Sequence, residues 1–177
     1  MYLIKEKEVL VPMRNSRLKN QIADYVIRYK ENIYRLAFSY VKNVDDALDI
    51  VQESIYKAIS SMDSLKNPDY IKTWFYRIVV NTSLDFLRKK KKVNIVEEEV
   101  LINLDSGVVD EYENFDLQCA LDNLPDNCRT IIILKYFEDL KINEIAEILN
   151  ENTNTIKTRL YKSLKMLRIN MNYDEEV

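Results

Sequence analysis

The sequence contains no histidine and a single glycine among its 177 residues. Histidine is the commonest general base and the commonest metal ligand, so its absence argues against the usual catalytic and metal-binding sites. Nucleotide-binding loops and β-rich folds need glycine for positive φ and for close approach to phosphate. Together these absences favour a helical protein without a cofactor, a metal or a small-molecule substrate.

The chain is also poor in cysteine, with Cys119 and Cys128 nine positions apart and no CxxC pair. Without histidine this spacing makes neither a zinc site nor a redox motif, and we predict two buried, inert thiols in a reducing compartment. No apolar run approaches the roughly 20 residues of a membrane span, and residues 1–17 lack the apolar core of a signal peptide. The predicted location is cytoplasmic.

The charges nearly balance, with 26 basic and 29 acidic residues, but they are unevenly distributed. Residues 19–92 carry 14 basic and nine acidic side chains, whereas residues 93–117 carry eight acidic ones and no basic one. The acidic segment repels itself and holds Gly107, so we predict a flexible linker. The predicted organisation is an N-terminal extension (1–18), a first domain (19–92), an acidic linker (93–117), a second domain (118–172) and a tail (173–177).

Apolar residues recur at the spacing of an amphipathic helix in three stretches of the first domain. These stretches begin near Ile33, after Asn43 and after Pro68. Such stripes indicate three helices that bury one face each in a shared core. With 47% hydrophobic and 31% charged residues, the composition is that of a globular protein, and we predict an all-α fold.

The second domain has the pattern of a helix-turn-helix. We predict helices at 117–124, 129–137, 142–149 and 153–171. The last two are joined by only a few residues, and a short helix, a tight turn and a longer helix form this motif. Asn150 suits the left-handed conformation at the end of the first helix of the pair, and Asn152 suits the N-cap of the second.

The last predicted helix has five basic residues and no acidic one between Asn152 and Asn172. Its apolar stripe of Ile156, Leu160 and Leu164 leaves a face of cations, hydroxyls and amides. The N-terminal part of such a helix can enter the major groove of DNA, where these groups contact base edges. A solvated surface helix would use the same residue types, but an uninterrupted cationic face after a tight turn favours DNA binding.

Two further clusters lie in the first domain. Trp74 and Phe75 stand beside basic residues that continue through the run 88–92, a combination typical of single-stranded nucleic-acid binding. The alternative is that at least one ring belongs to the core and the run is a solvated helix end. The second cluster is acidic, on the helix after Asn43. It has no partner for metal or acid–base chemistry, so a protein-docking surface or a solvated face is favoured.

Several segments, in this order, resemble the sigma-70 superfamily of bacterial transcription initiation factors, within its small extracytoplasmic-function (ECF) group and in detail the SigV type. They are YRLAFSYVKNVDDALDIVQESI (34–55), KTWFYRIVVN (72–81), EIAEIL (144–149) and NTIKTRLYK (154–162). The resemblance implies two helical domains, sigma domain 2 and sigma domain 4, the latter a helix-turn-helix, joined by the linker. It also implies an initiation factor rather than an enzyme.

The resemblance assigns three sets of contact residues. Those expected to bind core RNA polymerase, through the clamp helices of its β′ subunit, are Asp46, Asp49, Gln52 and Glu53. Those expected at the melted −10 element are Ser64, Lys66, Asn67, Lys72, Trp74, Arg77, Asn81, Arg88 and Lys89. Those expected at the −35 duplex are Thr155, Lys157, Thr158, Arg159, Tyr161 and Lys162.

The resemblance further implies that the polymerase β flap, promoter DNA and a commonly membrane-anchored anti-sigma factor are partners. The implied function is transcription initiation at a stress regulon, with cell-envelope stress as the expected kind. Asn150 and Asn154 stand where the family often has glycine. Glu151 stands where it often has an apolar residue, which predicts a looser turn.

A second hypothesis is a stand-alone helix-turn-helix regulator whose first domain senses a ligand or a partner. It would bind duplex operator DNA without polymerase, with an affinity that falls steeply with salt. The aromatic and basic residues before position 92 favour the sigma factor, because such a regulator needs no platform for single-stranded DNA.

Overall fold

A computed structural model describes residues 13–97 and 115–172, and over these ranges it contains helices and turns but no strand. The prediction of an all-α fold is confirmed. The elements are α1 (Met13–Val41), α2 (Val44–Ser60), 3₁₀ turns at Met62–Ser64 and Pro68–Tyr70, α3 (Ile71–Glu97), α4 (Phe115–Asp122), α5 (Asp126–Ile132), a π-helical turn at Ile133–Phe137, α6 (Ile142–Leu149) and α7 (Thr153–Asn172). Residues 98–114 of the predicted linker and the tail 173–177 lie outside the described residues.

Helices α1, α2 and α3 form the first domain around a shared apolar core. Its centre is formed by side chains that are at most 1% exposed: Ile33, Leu36, Ile50, Phe75 and Val79. Each of the three predicted stripes thus supplies buried core residues, although Ile59 near the end of the second stripe is 37% exposed. Helix α1 begins at Met13, ahead of the predicted domain start at 19, and is kinked at Tyr29 (φ −112°, ψ 19°).

Local polar contacts determine where the first-domain helices begin. Asn43 caps α2, because its side chain accepts from the amide of Asp46 at 2.9 Å. Asn67 acts similarly on the turn before α3, accepting from the amide of Asp69 at 3.0 Å. Between them Leu65 is buried and anchors the connecting loop to the core. These caps satisfy amides that a helix start leaves without a partner.

Helices α4 to α7 form the second domain around Ile131, Leu134, Ile145 and Ile156, all fully buried. Helix α5 starts three residues before the predicted 129–137 and passes into the π-helical turn. Both cysteines are free thiols. Cys128 is buried as predicted, but Cys119 is only half-buried, so the expectation of two buried thiols was wrong for that residue.

The two domains pack against each other, α3 against α6 and α1 against α5, and their apolar cores are continuous. At the α1–α5 contact, Thr130 Oγ1 donates to Tyr40 Oη at 2.7 Å, and Lys42 pairs with Asp122 nearby. This packing brings α6 onto one face of α3. Among the described helices, none has the length and apolar character needed to cross a membrane.

Candidate nucleic-acid and polymerase interfaces

Helix α7 presents a solvent-exposed row of polar and cationic side chains on the side away from the core. Ile156, Leu160 and Ser163 are buried against the rest of the domain. The exposed row consists of Asn154, Lys157, Thr158, Tyr161 and Lys162. Four predicted −35 contacts therefore share one accessible surface, and its Tyr161 ring is 73% exposed. Such a surface can meet DNA without rearrangement.

The turn before α7 is closely fixed at both of its ends. Asn150 has left-handed backbone angles (φ 52°, ψ 45°). The amide of Glu151 donates to the carbonyl of Ala146 at 2.9 Å, and that of Asn150 to Glu147 at 3.3 Å, which is a Schellman motif. Asn152 Oδ1 accepts from the amide of Thr155 at 2.7 Å, as an N-cap does. Both asparagine predictions are confirmed, but the predicted looser turn is wrong.

The other two predicted −35 residues, Thr155 and Arg159, are half-buried and bonded to this turn. Thr155 Oγ1 donates to Asn152 Oδ1 at 3.0 Å. Arg159 Nη1 donates to Glu151 Oε1 at 2.6 Å. These two side chains lie at the edge of the exposed row, so any contact that they make to DNA starts from a position set by the turn.

The loop before α3 brings together two residues that the sequence assigned to the −10 element. Trp74 Nε1 donates to Ser64 Oγ at 3.0 Å. The Trp74 ring is half-buried against the core, and Phe75 beside it is fully buried. Of the two rings, Phe75 is thus a core residue, and Trp74 supports the loop. Lys66 and Asn67 are exposed on that loop.

Two other predicted −10 residues contact the second domain. Lys72 Nζ donates to the carbonyl of Glu138. Arg77 donates through Nε and Nη2 to the carbonyl of Glu147, at 3.3 and 3.2 Å. In this closed arrangement, α6 and the turn before it therefore cover the part of α3 that carries both cations.

The remaining predicted −10 residues lie farther along α3. Asn81, Arg88 and Lys89 are exposed. Arg88 pairs with Asp85 one turn earlier at 3.0 Å. An exposed pair of this kind contributes little to stability and breaks readily, so Arg88 can move to a phosphate. The predicted −10 residues therefore fall into a loop group, a covered pair and an exposed group.

Three of the four predicted polymerase-binding residues line a groove between α2 and α3. The groove has a volume of about 510 Å³ and includes Asp49, Gln52 and Glu53 with the exposed ring of Tyr56. Asp46 lies outside it and pairs with Lys90 at 2.7 Å. Carboxylates interspersed with an exposed aromatic ring and the exposed Leu48 are typical of a protein-docking surface.

A buried acid between the domains was missed by the sequence analysis. Glu138 is only 3% exposed, and its carboxylate accepts from Asn32 Nδ2 at 3.1 and 3.2 Å and from Tyr76 Oη. These partners are 62 and 106 positions away from Glu138 in the sequence, and hydrophobic periodicity does not reveal pairings at such distances. The available signal was that Tyr76 adjoins the apolar stripe of α3, where a buried hydroxyl needs a partner.

Burial also changes the proton affinity of groups at the domain boundary. Burial raises the pKa of Tyr76, and the neighbouring Tyr25 and Glu138 raise it further. Burial raises the pKa of Tyr40 to about 12, although its bond with Thr130 opposes the shift. Burial lowers the pKa of Lys42, against the effect of Asp122. Both tyrosine hydroxyls therefore stay protonated at neutral pH.

Comparison with known proteins finds a match for each of the two domains. The family model for sigma-70 region 2 matches residues 25–93, and that for sigma-70, region 4 matches residues 114–167. The chain is 57% identical over 147 residues to RNA polymerase sigma factor SigV of Bacillus subtilis (strain 168), covering 83% of this chain and 89% of that protein. It is 34% identical over 181 residues to ECF RNA polymerase sigma factor SigW of the same organism, with coverages of 91% and 96%.

Two solved structures share the fold. One is the sigma factor RpoE in complex with the anti-sigma factor NepR from Bartonella quintana, with a TM-score of 0.73, 22% identity and coverages of 86% and 97%. The other is CnrH in complex with the cytosolic domain of CnrY, with a TM-score of 0.65, 18% identity and coverages of 90% and 96%. Together with the sequence matches, these findings decide against a stand-alone regulator and against an enzyme. The chain belongs to the sigma-70 family of transcription initiation factors, as an ECF sigma factor of the SigV type.

Proposed function

We propose that this sigma factor binds core RNA polymerase, recognises −35 and −10 promoter elements, and helps to melt the promoter so that transcription of a stress regulon, that of cell-envelope stress, can start. The observation that carries the proposal is the exposed row on α7 behind a turn fixed at both ends. A rigidly placed cationic helix can hold duplex DNA in one register, because phosphate contacts position it and base contacts specify the sequence.

The first domain acts on the melted strand in this proposal. The loop with Ser64, Lys66 and Asn67, supported by Trp74, receives an unstacked −10 base. Lys72, Arg77, Asn81, Arg88 and Lys89 then follow the strand. Unstacking a base costs a few kcal/mol. Stacking on an aromatic ring, here the half-buried ring of Trp74, returns about 1–3 kcal/mol, so the protein offsets much of the cost of melting. The polymerase makes and breaks all the bonds.

Simultaneous contact with both elements requires the two domains to separate. Positions −35 and −10 are about 85 Å apart along a duplex at 3.4 Å per base pair. Lys72 and Arg77 cannot follow a DNA strand while they donate to carbonyls of the second domain. Binding to polymerase and promoter must therefore favour an open arrangement by more free energy than the domain contacts supply.

The proposed protein partners follow from the remaining surfaces. Asp46, Asp49, Gln52 and Glu53 would contact the β′ clamp helices, and the second domain would contact the β flap. We propose a membrane-anchored anti-sigma factor that covers the polymerase-binding faces when there is no stress. Support comes from the solved sigma factor RpoE, which was determined in complex with the anti-sigma factor NepR. The CnrH structure, which shares the fold, was determined with the cytosolic domain of CnrY.

Run-off transcription with purified core polymerase and a promoter library tests this function. The full chain is expected to direct initiation at promoters that share −35 and −10 elements. Lys157→Ala should lower −35-dependent initiation about tenfold, in line with the loss of one base contact. Lys30→Ala, which removes an exposed cation from α1, is the matched control and should not change it. The proposal fails if the wild-type chain directs no initiation at any promoter.

A further inference from the structure

The turn before α7 carries an acidic side chain directly beside an arginine of the proposed −35 surface. Glu151 Oε1 accepts from Arg159 Nη1 at 2.6 Å, and the two side chains are 30% and 32% exposed. Lys157 and Lys162 on the same helix are exposed and form no ion pair within the described part of the chain. Arg159 thus differs from these two cations in having its position set by a protein partner.

The backbone on both sides of Glu151 is fixed, which makes this pair more than a chance surface contact. The amide of Glu151 is bonded to Ala146, the preceding Asn150 is left-handed, and the following Asn152 caps α7. Because the backbone of this residue is already ordered, pairing of its carboxylate costs only side-chain freedom. A half-buried, charge-assisted bond of this length is also stronger and less screened by salt than an exposed pair.

The contact leaves the donors of Arg159 that matter for recognition free. A guanidinium carries five N–H donors in a planar fork. Glu151 engages Nη1, and no described residue accepts from the edge formed by Nε and Nη2. Two parallel donors on that edge match the O6 and N7 acceptors of guanine in the major groove. The carboxylate at the same time repels phosphate oxygens, which keeps the guanidinium away from the DNA backbone.

We propose that Glu151 is a positioning residue that holds Arg159 for recognition of one guanine in the −35 element. This inference rests on the proposed function, because it requires α7 to lie in the major groove. Glu151 determines base preference rather than overall affinity. Without it, Arg159 is free to pair with phosphates, which lie on every sequence and carry no base information.

The test uses the holoenzyme and a promoter pool randomised at the six −35 positions, with the rest of the promoter constant. Bound promoters are sequenced for the wild type, Glu151→Gln, Glu151→Ala, Arg159→Ala and the Glu151→Ala/Arg159→Ala double variant. Asp139→Asn is the matched control, since it removes one exposed carboxylate from the same domain and Asn tolerates the positive φ of that position. The affinity for a fixed promoter is measured at several salt concentrations.

The wild type and Asp139→Asn should prefer guanine at one −35 position. Glu151→Ala should reduce that preference about tenfold, leave the other positions unchanged and bind non-matching promoters at least as well as before. Glu151→Gln keeps an acceptor oxygen for Arg159 but no charge, so it should reduce the preference less. Arg159→Ala should lose the same preference, and adding Glu151→Ala to it should change nothing more.

Three results would overturn the proposal. They differ in whether the proposed −35 contact of Arg159 fails as well. If Arg159→Ala loses a guanine preference and Glu151→Ala keeps it, the positioning role alone fails. If the Glu151 variants raise binding to all promoters equally without loss of preference, Glu151 merely neutralises a charge. If Arg159→Ala keeps every preference, the proposed −35 contact of Arg159 fails together with the inference.

Discussion

The two surfaces proposed to meet DNA carry similar residues but differ in their accessibility. On α7, the row that includes Lys157, Tyr161 and Lys162 faces solvent. On α3, Lys72 and Arg77 donate to backbone carbonyls of the second domain. The α7 surface is accessible to a DNA duplex, whereas part of the α3 surface is covered by the second domain.

The difference shows that a cationic residue type does not by itself indicate a free DNA-binding group. Lys72 and Arg77 donate to carbonyl acceptors of the same molecule, so the proposed binding of the −10 strand would have to compete with an intramolecular contact. Glu138 lies at the centre of that contact, buried between Tyr76 and Asn32. Changes at the domain contact and on the α7 surface should therefore have different effects on stability and on DNA binding.

Glu138→Ala should have the largest effect, a loss of about 3 kcal/mol, because it leaves the buried hydroxyl of Tyr76 and the amide of Asn32 without their charged acceptor. Urea unfolding measures the loss, and small-angle X-ray scattering should show a larger radius of gyration as the domains separate. Glu138→Gln keeps two acceptor lone pairs and should lose about half as much. Equal compactness and stability in all three proteins would contradict the role of Glu138.

The domain contact should also weaken at alkaline pH. The pKa of Tyr40 is 10.0 in the unfolded chain and about 12 in the folded one, so folding favours the protonated hydroxyl. The stabilisation is fully present below pH 10 and is lost as the pH rises from 10 through 12, by somewhat less than about 3 kcal/mol. Urea midpoints at pH 9 to 12 measure this, and Tyr40→Phe should show a shallower decline. Parallel declines would exclude Tyr40 as the titrating group.

Asn150→Ala should cost about 1 kcal/mol, because alanine at a left-handed position strains its Cβ against the backbone. Asn150→Gly is expected to be nearly neutral, since glycine has no Cβ. Thermal unfolding separates the two. Both substitutions affect only the turn before α7, so the holoenzymes with Asn150→Ala and Asn150→Gly should bind −10 single strands equally well. Equal losses for alanine and glycine would show that the backbone angle is not the cause.

Arg77→Ala should have the smallest effect on stability, within about 0.5 kcal/mol, because the side chain is 42% exposed and its ion pair with Glu147 is long, at 3.6 Å. In the holoenzyme, however, it should lower affinity for a −10 single strand several-fold. Lys30→Ala, with the same loss of charge on α1, serves as the control. A large stability loss without any change in single-strand affinity would mean that Arg77 belongs only to the closed arrangement.

Much of the fold could be predicted because it depends on local chemistry. The helix 142–149 was predicted with its observed bounds, and Asn150 and Asn152 occupy the conformations that their side chains favour. Helix α5 starts earlier than predicted, because the carbonyl of Pro125 already accepts from the amides of Cys128 and Arg129. Boundaries of this kind depend on hydrogen bonds that hydrophobic periodicity does not reveal.

The sequence predicted which residues belong to each proposed contact surface. It did not predict how their side chains are arranged in space. Residue type and spacing placed Lys157, Arg159 and Lys162 on one cationic helix. They did not show that Arg159 would turn back to Glu151 while the two lysines remain exposed, because that depends on the geometry of the turn. The expectation of a looser turn failed for the same reason: the backbone amide of Glu151, rather than its side chain, fixes the turn.

The sequence by itself determined the all-α class, the helix-turn-helix and the cationic surface of α7, since apolar periodicity, capping residues and charge act over a few neighbouring positions. Its overall charge of −3 was uninformative, because the acidic segment 93–117 offsets the cationic first domain. Only the tertiary structure decided which cations are free and that Glu138 is buried between the domains. Those outcomes depend on pairings across more than 60 residues, which packing creates and no local pattern encodes.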